Sequence, residues 1–365
     1  MIMKHRSVKG IVSLATVILT ILACNVPGGA TEVPATEPPA TELVTVVDTA
    51  TSPVPPPSTE IPIQHQLFPV SLPIERSGHA GDYDSSVTAN LKKANGGDRF
   101  TFERFERPFN ANTMDIYYPE LDIVDTFVYQ DRTWMYGTIQ VVDRSAVNMS
   151  PYRFAMEVDI DANGKGDILV MALNPSSTDW TTDGVQIFQD TNGDVGNATD
   201  MFSDANATDG DGFETMIFDQ GKGDDPDAAW VRVSPENPNI VEFAVKRTVV
   251  NETFVYMINM WTGHGTLDPA KFDYSDHFTH DQAGAADPEL PNFYPIKAVY
   301  ELDNSCRMAV GFFARGSEPG LCPLQVPPKA DDPSCQPSMT DINYCIQLGG
   351  TWNYTTCKCD IPVIP

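Results

Sequence analysis

The segment Asp159-Ile160-Asp161-Ala162-Asn163-Gly164-Lys165-Gly166-Asp167 sets side-chain oxygens at positions 1, 3, 5 and 9 of a short loop, with glycine at position 6. Hard calcium ions need such convergent oxygens, and glycine allows the sharp turn that brings them together. Lys165 can add its backbone carbonyl at position 7. Position 12 is Val170 rather than a bidentate glutamate. The loop is therefore not an EF-hand, and it needs a further carboxylate from elsewhere. It is closer to the calcium loops that join strands in sandwich domains. Asp190-Thr191-Asn192-Gly193-Asp194 forms a second, shorter set, and Asp204, Asp209 and Asp211 a third. The competing reading is that these are plain Asp/Asn/Gly turns on an acidic surface. Calcium here is expected to hold loop geometry and stabilise the fold, not to take part in catalysis.

Other chemistry is sparse. There is no G-x-S-x-G elbow, no H-E-x-x-H helix and no glycine-rich phosphate loop following a strand. His264, His277 and His280 lie near one another in the sequence with Asp276 and Asp281. Such a set could bind metal or transfer protons, but it reads more simply as solvated loop residues. Fifty acids make any single carboxylate pair uninformative as a glycosidase signature. For sugar stacking the useful groups are exposed aromatics. Trp180 and Trp230 are the candidates, Trp180 because it sits in a polar stretch, Ser176 to Thr182. Core packing is the reading preferred for Trp134 and Trp261, and for Trp230 over sugar stacking.

These residues need a compartment and a scaffold. Lys4, Arg6 and Lys9 precede an apolar run, Ile11 to Leu22, that is too short to span a hydrocarbon core of ~30 Å comfortably. The run ends in Ile21-Leu22-Ala23-Cys24, which resembles the lipobox of bacterial lipoproteins. That resemblance implies cleavage after residue 23, acyl chains on Cys24, and an extracytoplasmic protein held at the membrane or cell surface by lipid alone. Residues 25–63 contain nine prolines, many threonines and no lysine or arginine. They cannot bury a core and read as an extended stalk. With 23 basic against 50 acidic residues the formal charge is −27, which argues against nucleic acid as a partner.

Residues 64–323 are expected to form one all-β domain. Phe154, Met156, Val158 and Ile160 alternate with mostly polar residues, and Val241, Phe243 and Val245 alternate with Glu242 and Lys246. Further strands are expected at Phe127–Tyr129, Trp134–Val142, Ile168–Leu173, Val185–Phe188, Trp230–Val233, Thr253–Trp261 and Ile296–Leu302. Period two, with breaks rich in Gly, Asp, Asn and Pro, points to an antiparallel β-sandwich of jelly-roll type. The order Leu121-Asp122-Ile123, a turn near Gln130-Asp131, Trp134-Met135-Tyr136-Gly137, then Glu157-Val158-Asp159-Ile160-Asp161 resembles family 9 carbohydrate-binding modules and DOMON-type domains over about 115–260. The resemblance implies a jelly-roll-like sandwich and sugar or haem binding. Of the thirteen methionines, no pattern marks one as a haem ligand.

Residues 324–365 change character. Setting Cys24 aside, the remaining cysteines, Cys306, Cys322, Cys335, Cys345, Cys357 and Cys359, all lie near the C-terminus. An even, clustered set in an exported chain reads as disulfides whose connectivity the sequence leaves open, with Cys306 and Cys322 placed to close a loop of their own. Zinc is disfavoured because no histidine is near and no C-x2-C pair occurs. Trp352 and Tyr354 are expected to form the miniature core of a small stapled module. The function expected is a surface lipoprotein displaying a non-catalytic binding domain for polysaccharide or surface glycan. A structural or adhesive envelope protein is the alternative, followed by a hydrolase with an unrecognised site.

Overall fold

The two-residue period turns one side of each strand inward, so two sheets can share one core. A computed structural model describes residues 62–98, 104–145, 151–196, 212–272, 274–286, 295–315, 318, 320–322, 345, 351–353 and 358–360, all within the unit Glu60–Pro365. Cys24, the stalk up to residue 61, the third acidic set (Asp204, Asp209, Asp211), Cys335, Tyr354 and Cys357 lie outside the described residues.

One sheet has five strands in the order β1 (Gly78–Gly81), β3 (Ile123–Gln130), β4 (Trp134–Val141), β11 (Ile240–Lys246) and β10 (Ala229–Val233). The other runs β2 (Glu106–Arg107), β13 (Leu302–Asn304), β12 (Tyr256–Gly263), β5 (Arg153–Asp159), β6 (Ile168–Leu173), β7 (Val185–Gln189), β8 (Thr215–Asp219) and β9 (Lys222–Gly223). A ninth strand, β14 (Met308–Val310), pairs with the start of β12. Neighbouring strands in both sheets are antiparallel. Val128, Met135, Ile139, Val241, Phe243 and Val245 from the first sheet meet Phe154, Met156, Val158, Val170, Ile187 and Ile258 from the second. The molecule is an antiparallel β-sandwich, as its alternation predicts.

The large sheet has a second covered face. Ala155, Leu169, Met171 and Trp261 point away from the sandwich core, yet they are buried under Phe213, Leu267, Phe272 and Tyr274. The segment after β12 supplies much of this cover, including two single helical turns, α1 (Tyr274–His277) and α2 (His280–Ala283). Among the described residues no helix is long and apolar enough to cross a membrane.

The strand expected at Ile296–Leu302 is a correction: pairing begins only at Leu302. The preceding residues spend their polar groups on loops instead. Lys297 and Ala298 N–H donate to the Gln282 carbonyl, and the Val299 carbonyl accepts from Arg107 Nη1 at 2.9 Å. Their apolar side chains still pack inward, which is why they look strand-like in sequence.

The C-terminal region carries the Cys306–Cys322 disulfide, with Cα atoms 4.8 Å apart, and the Cys345–Cys359 disulfide, with Cα atoms 5.3 Å apart. The second lies at a hairpin of β15 (Thr351–Asn353) and β16 (Lys358–Asp360), where Trp352 is buried.

Candidate functional site

The β5–β6 turn carries the first Asp loop. Asp159 ends β5 and is almost wholly buried. Its Oδ1 accepts from Asn163 N–H at 3.1 Å and its Oδ2 from Gly164 N–H at 2.7 Å. Gly164 has φ of 92°, a left-handed value that favours glycine. Asn163 Oδ1 accepts from Lys165 N–H at 2.7 Å, and Asp167 Oδ2 from Ile160 N–H at 2.6 Å. The loop therefore closes on itself, and Asp159, Asp161 and Asp167 each still bring one oxygen within 4.8 Å of the others. Burial pushes the Asp159 carboxyl up to about 6, against the pull of the Gly164 N–H and Arg307, and burial also raises Asp167.

The second Asp loop follows β7 and repeats this geometry. Asp190 Oδ1 accepts from Asn192 N–H at 3.0 Å and Gly193 N–H at 2.7 Å, and its Oδ2 accepts from Val195 N–H at 3.0 Å. Asn192 Oδ1 accepts from Asp194 N–H at 3.1 Å. Asp190 and Asp194 converge with Glu214, a residue sequence reasoning missed because it arrives from the chain leading into β8. Glu214 also accepts from both Thr191 N–H and its hydroxyl. The two loops are tied together. Lys165 Nζ donates to the Gly193 carbonyl at 2.6 Å, Gly166 N–H to the Val195 carbonyl at 2.9 Å, and Asp190 N–H to the Asp167 carbonyl at 3.1 Å. The Lys165 ammonium thus bridges the loops, a role the loop spacing did not suggest. Convergent carboxylates of this kind suit a hard cation with oxygen ligands.

The tryptophans separate. Trp134 and Trp261 are core, as expected. Trp230 takes the core reading, which corrects its place among the ligand-binding candidates: it is 2% exposed, because His65 and Phe68 pack on it at centroid distances of 4.6 and 5.1 Å. It cannot stack on a sugar while so covered. Trp180 is half-buried. The chain on either side of it runs along the free edge of β10: Thr181 and Val231 exchange backbone hydrogen bonds at 3.0 and 2.9 Å, and Val233 N–H reaches the Ser177 carbonyl at 2.7 Å. The Arg232 guanidinium lies 4.4 Å from the Trp180 ring and pairs with Glu242 at 2.7 Å. The indole N–H donates to the Val70 carbonyl at 3.1 Å.

His264 sits between two glutamates. His264 Nδ1 lies 3.1 Å from Glu301 and its Nε2 lies 3.9 Å from Glu120, while Asp281 pairs with Lys297. Among the described residues no acid cluster able to hold a metal contains a histidine. The side chains of Asp276 and His280 lie outside the described residues.

A third acid cluster has no counterpart in any sequence motif. Asp82 follows β1, Glu106 lies in β2, Asp122 precedes β3 and Asp303 lies in β13. All four carboxylates are buried. Glu106 and Asp303 are direct cross-strand partners, and with Asp82 they bring one oxygen each within 4.8 Å. Burial pushes Asp82 up to about 6 and Asp122 up to about 8, and burial with the neighbouring acids holds Glu106 and Asp303 well above the carboxylate range. No spacing rule could have found residues this scattered.

No protein-family model, curated protein or solved structure matches the chain.

Proposed function

We propose that this chain is an exported lipoprotein, anchored through Cys24, that carries a non-catalytic binding domain for extracellular carbohydrate with calcium as a structural ion in the Asp159–Asp167 loop. The observation that carries the binding reading is the setting of Trp180. A half-buried indole with the Arg232 guanidinium over its ring, and Glu242 paired to that arginine, sets an aromatic surface among charged hydrogen-bonding groups, the mixture that sugar rings and hydroxyls need. The Cys306–Cys322 disulfide supports export, since such bonds persist in oxidising compartments. The convergence of Asp159, Asp161 and Asp167 supports the ion.

A glycan array probed with the mature protein tests the ligand class. Selective binding that disappears in Trp180→Ala is expected, and binding unchanged by that substitution would remove the site. Turnover of a bound polysaccharide would overturn the non-catalytic reading. Palmitate labelling in a bacterial host tests the anchor, which requires label in the wild type and none in Cys24→Ala.

A further inference from the structure

Glu106 and Asp303 sit directly opposite each other on adjacent antiparallel strands, a pairing that like charges ordinarily disfavour. Both are fully buried, and so are Asp122 and the Asp82 side chain. Among the described residues Arg104 is the one cation that pairs with this group, through Asp82 and, at 3.5 Å, Glu106. One guanidinium cannot balance four carboxylates removed from water.

The four acids share a second feature. Each uses one oxygen on a donor of the protein. Asp82 Oδ1 accepts from Tyr83 N–H at 2.9 Å and from Arg104, and Glu106 Oε1 from the Ser85 hydroxyl at 2.7 Å. Asp122 Oδ2 accepts from Ser85 N–H at 2.9 Å and from the Tyr117 hydroxyl, and Asp303 Oδ2 from Ile123 N–H at 2.7 Å. Each leaves its other oxygen, Asp82 Oδ2, Glu106 Oε2, Asp122 Oδ1 and Asp303 Oδ1, buried with no hydrogen-bond partner, Glu106 Oε2 having only the 3.5 Å ion-pair contact with Arg104. A buried carboxylate oxygen without a donor is costly. One oxygen steered by a protein donor while the other stays open is how ligating carboxylates are held.

We infer that Asp82, Glu106 and Asp303, with Asp122 beside them, bind a calcium ion that clasps the two sheets together at their β1–β3 and β2–β13 corner. The ligand set is all oxygen and strongly anionic, which selects a hard divalent cation. One oxygen each from Asp82, Glu106 and Asp303 lies within 4.8 Å of the others, close enough for all three to reach a single cation. The ion supplies the positive charge that Arg104 alone does not. This site is separate from the Asp159–Asp167 loop and stands whether or not that loop takes calcium.

The test uses the full chain, stripped with chelator, and compares it with Asp303→Asn, Glu106→Gln and a loop control, Asp159→Asn/Asp161→Asn/Asp190→Asn. The first probe is terbium, whose emission is sensitised by nearby tyrosines; Tyr83 adjoins Asp82 and Tyr117 bonds Asp122. Tyrosine-sensitised emission that calcium displaces is expected in wild type and loop control, and lost in Asp303→Asn and Glu106→Gln. The second readout is thermal unfolding. Calcium a hundredfold above its Kd should raise the wild-type and loop-control midpoints by roughly 5–10 °C and leave the two corner variants unmoved. In chelator the corner variants should unfold at or above the wild-type temperature, because each removes a surplus charge. Corner variants that respond to calcium as the wild type does, a wild type with no response, or corner variants less stable than wild type in chelator would each overturn the site.

Discussion

Arg307 and Glu157 form a buried ion pair at 2.9 Å, with side chains 1% and 2% exposed. The pair joins three parts of the molecule. Arg307 Nη1 donates to the Gly164 carbonyl in the first Asp loop, and Glu157 Oε2 accepts from Trp261 Nε1 at 2.8 Å. Arg307 also follows Cys306, and its backbone pairs with Gly320 and Cys322 across the disulfide loop. A single guanidinium therefore links the stapled loop to the floor beneath the Asp loops.

Removing one partner of such a pair strands a charge. Arg307→Met should cost about 3–5 kcal/mol. Urea unfolding measures it, and the double variant Arg307→Met/Glu157→Gln should recover part of the loss. A double variant as unstable as the single would mean that the packing of Arg307, not its charge, carries the effect.

The Cys306–Cys322 bond closes a loop of sequence separation 16. Loop closure on that scale constrains the unfolded chain by about 3 kcal/mol. Cys306→Ala/Cys322→Ala should lower the denaturant midpoint accordingly, and reducing agent should not lower that variant further through this bond.

Gly137 lies at the centre of β4, facing the opposite sheet. A Cβ there would stand 2.1 Å from Met156 Sδ and 2.9 Å from Met260 Cε. Gly137→Ala should overpack the sandwich and cost about 1–3 kcal/mol, despite the higher strand compatibility of alanine. Adding Met156→Leu, which changes the crowding atom, should change that cost; equal costs in both backgrounds would locate the strain elsewhere.

Stability in chelator should rise as pH falls from about 8 toward 5. The buried Asp82 and Asp122 carboxyls are raised to about 6 and about 8, with Glu106 and Asp303 also raised. A carboxyl whose native pKa exceeds its unfolded value takes up a proton on folding between the two, so stability grows as pH drops through the native value and levels off below the unfolded one, near 4. Glu301, lowered by its hydrogen bond from His264, acts only below that window. Calcium competes with these protons and should flatten or reverse the slope. Thermal midpoints across the pH range, with and without calcium, measure both effects.

The sequence by itself was enough for the sandwich. Val241, Phe243 and Val245 face the core and Glu242 the other side, because the pleat turns successive side chains to opposite faces whatever the rest of the chain does. The turns of the first Asp loop were equally legible, since its bonds run between residues two to seven apart. Tertiary structure alone decided the rest. It buried Trp230 beneath His65 and Phe68, brought Glu214 to the second loop, and covered the outer face of β5, β6 and β12. It also gathered Asp82, Glu106, Asp122 and Asp303 from four separate segments. Local periodicity reports the direction in which a side chain leaves its own backbone. What that side chain meets there is set by strands and loops distant in the chain, and their arrival leaves no local mark on the residues they touch.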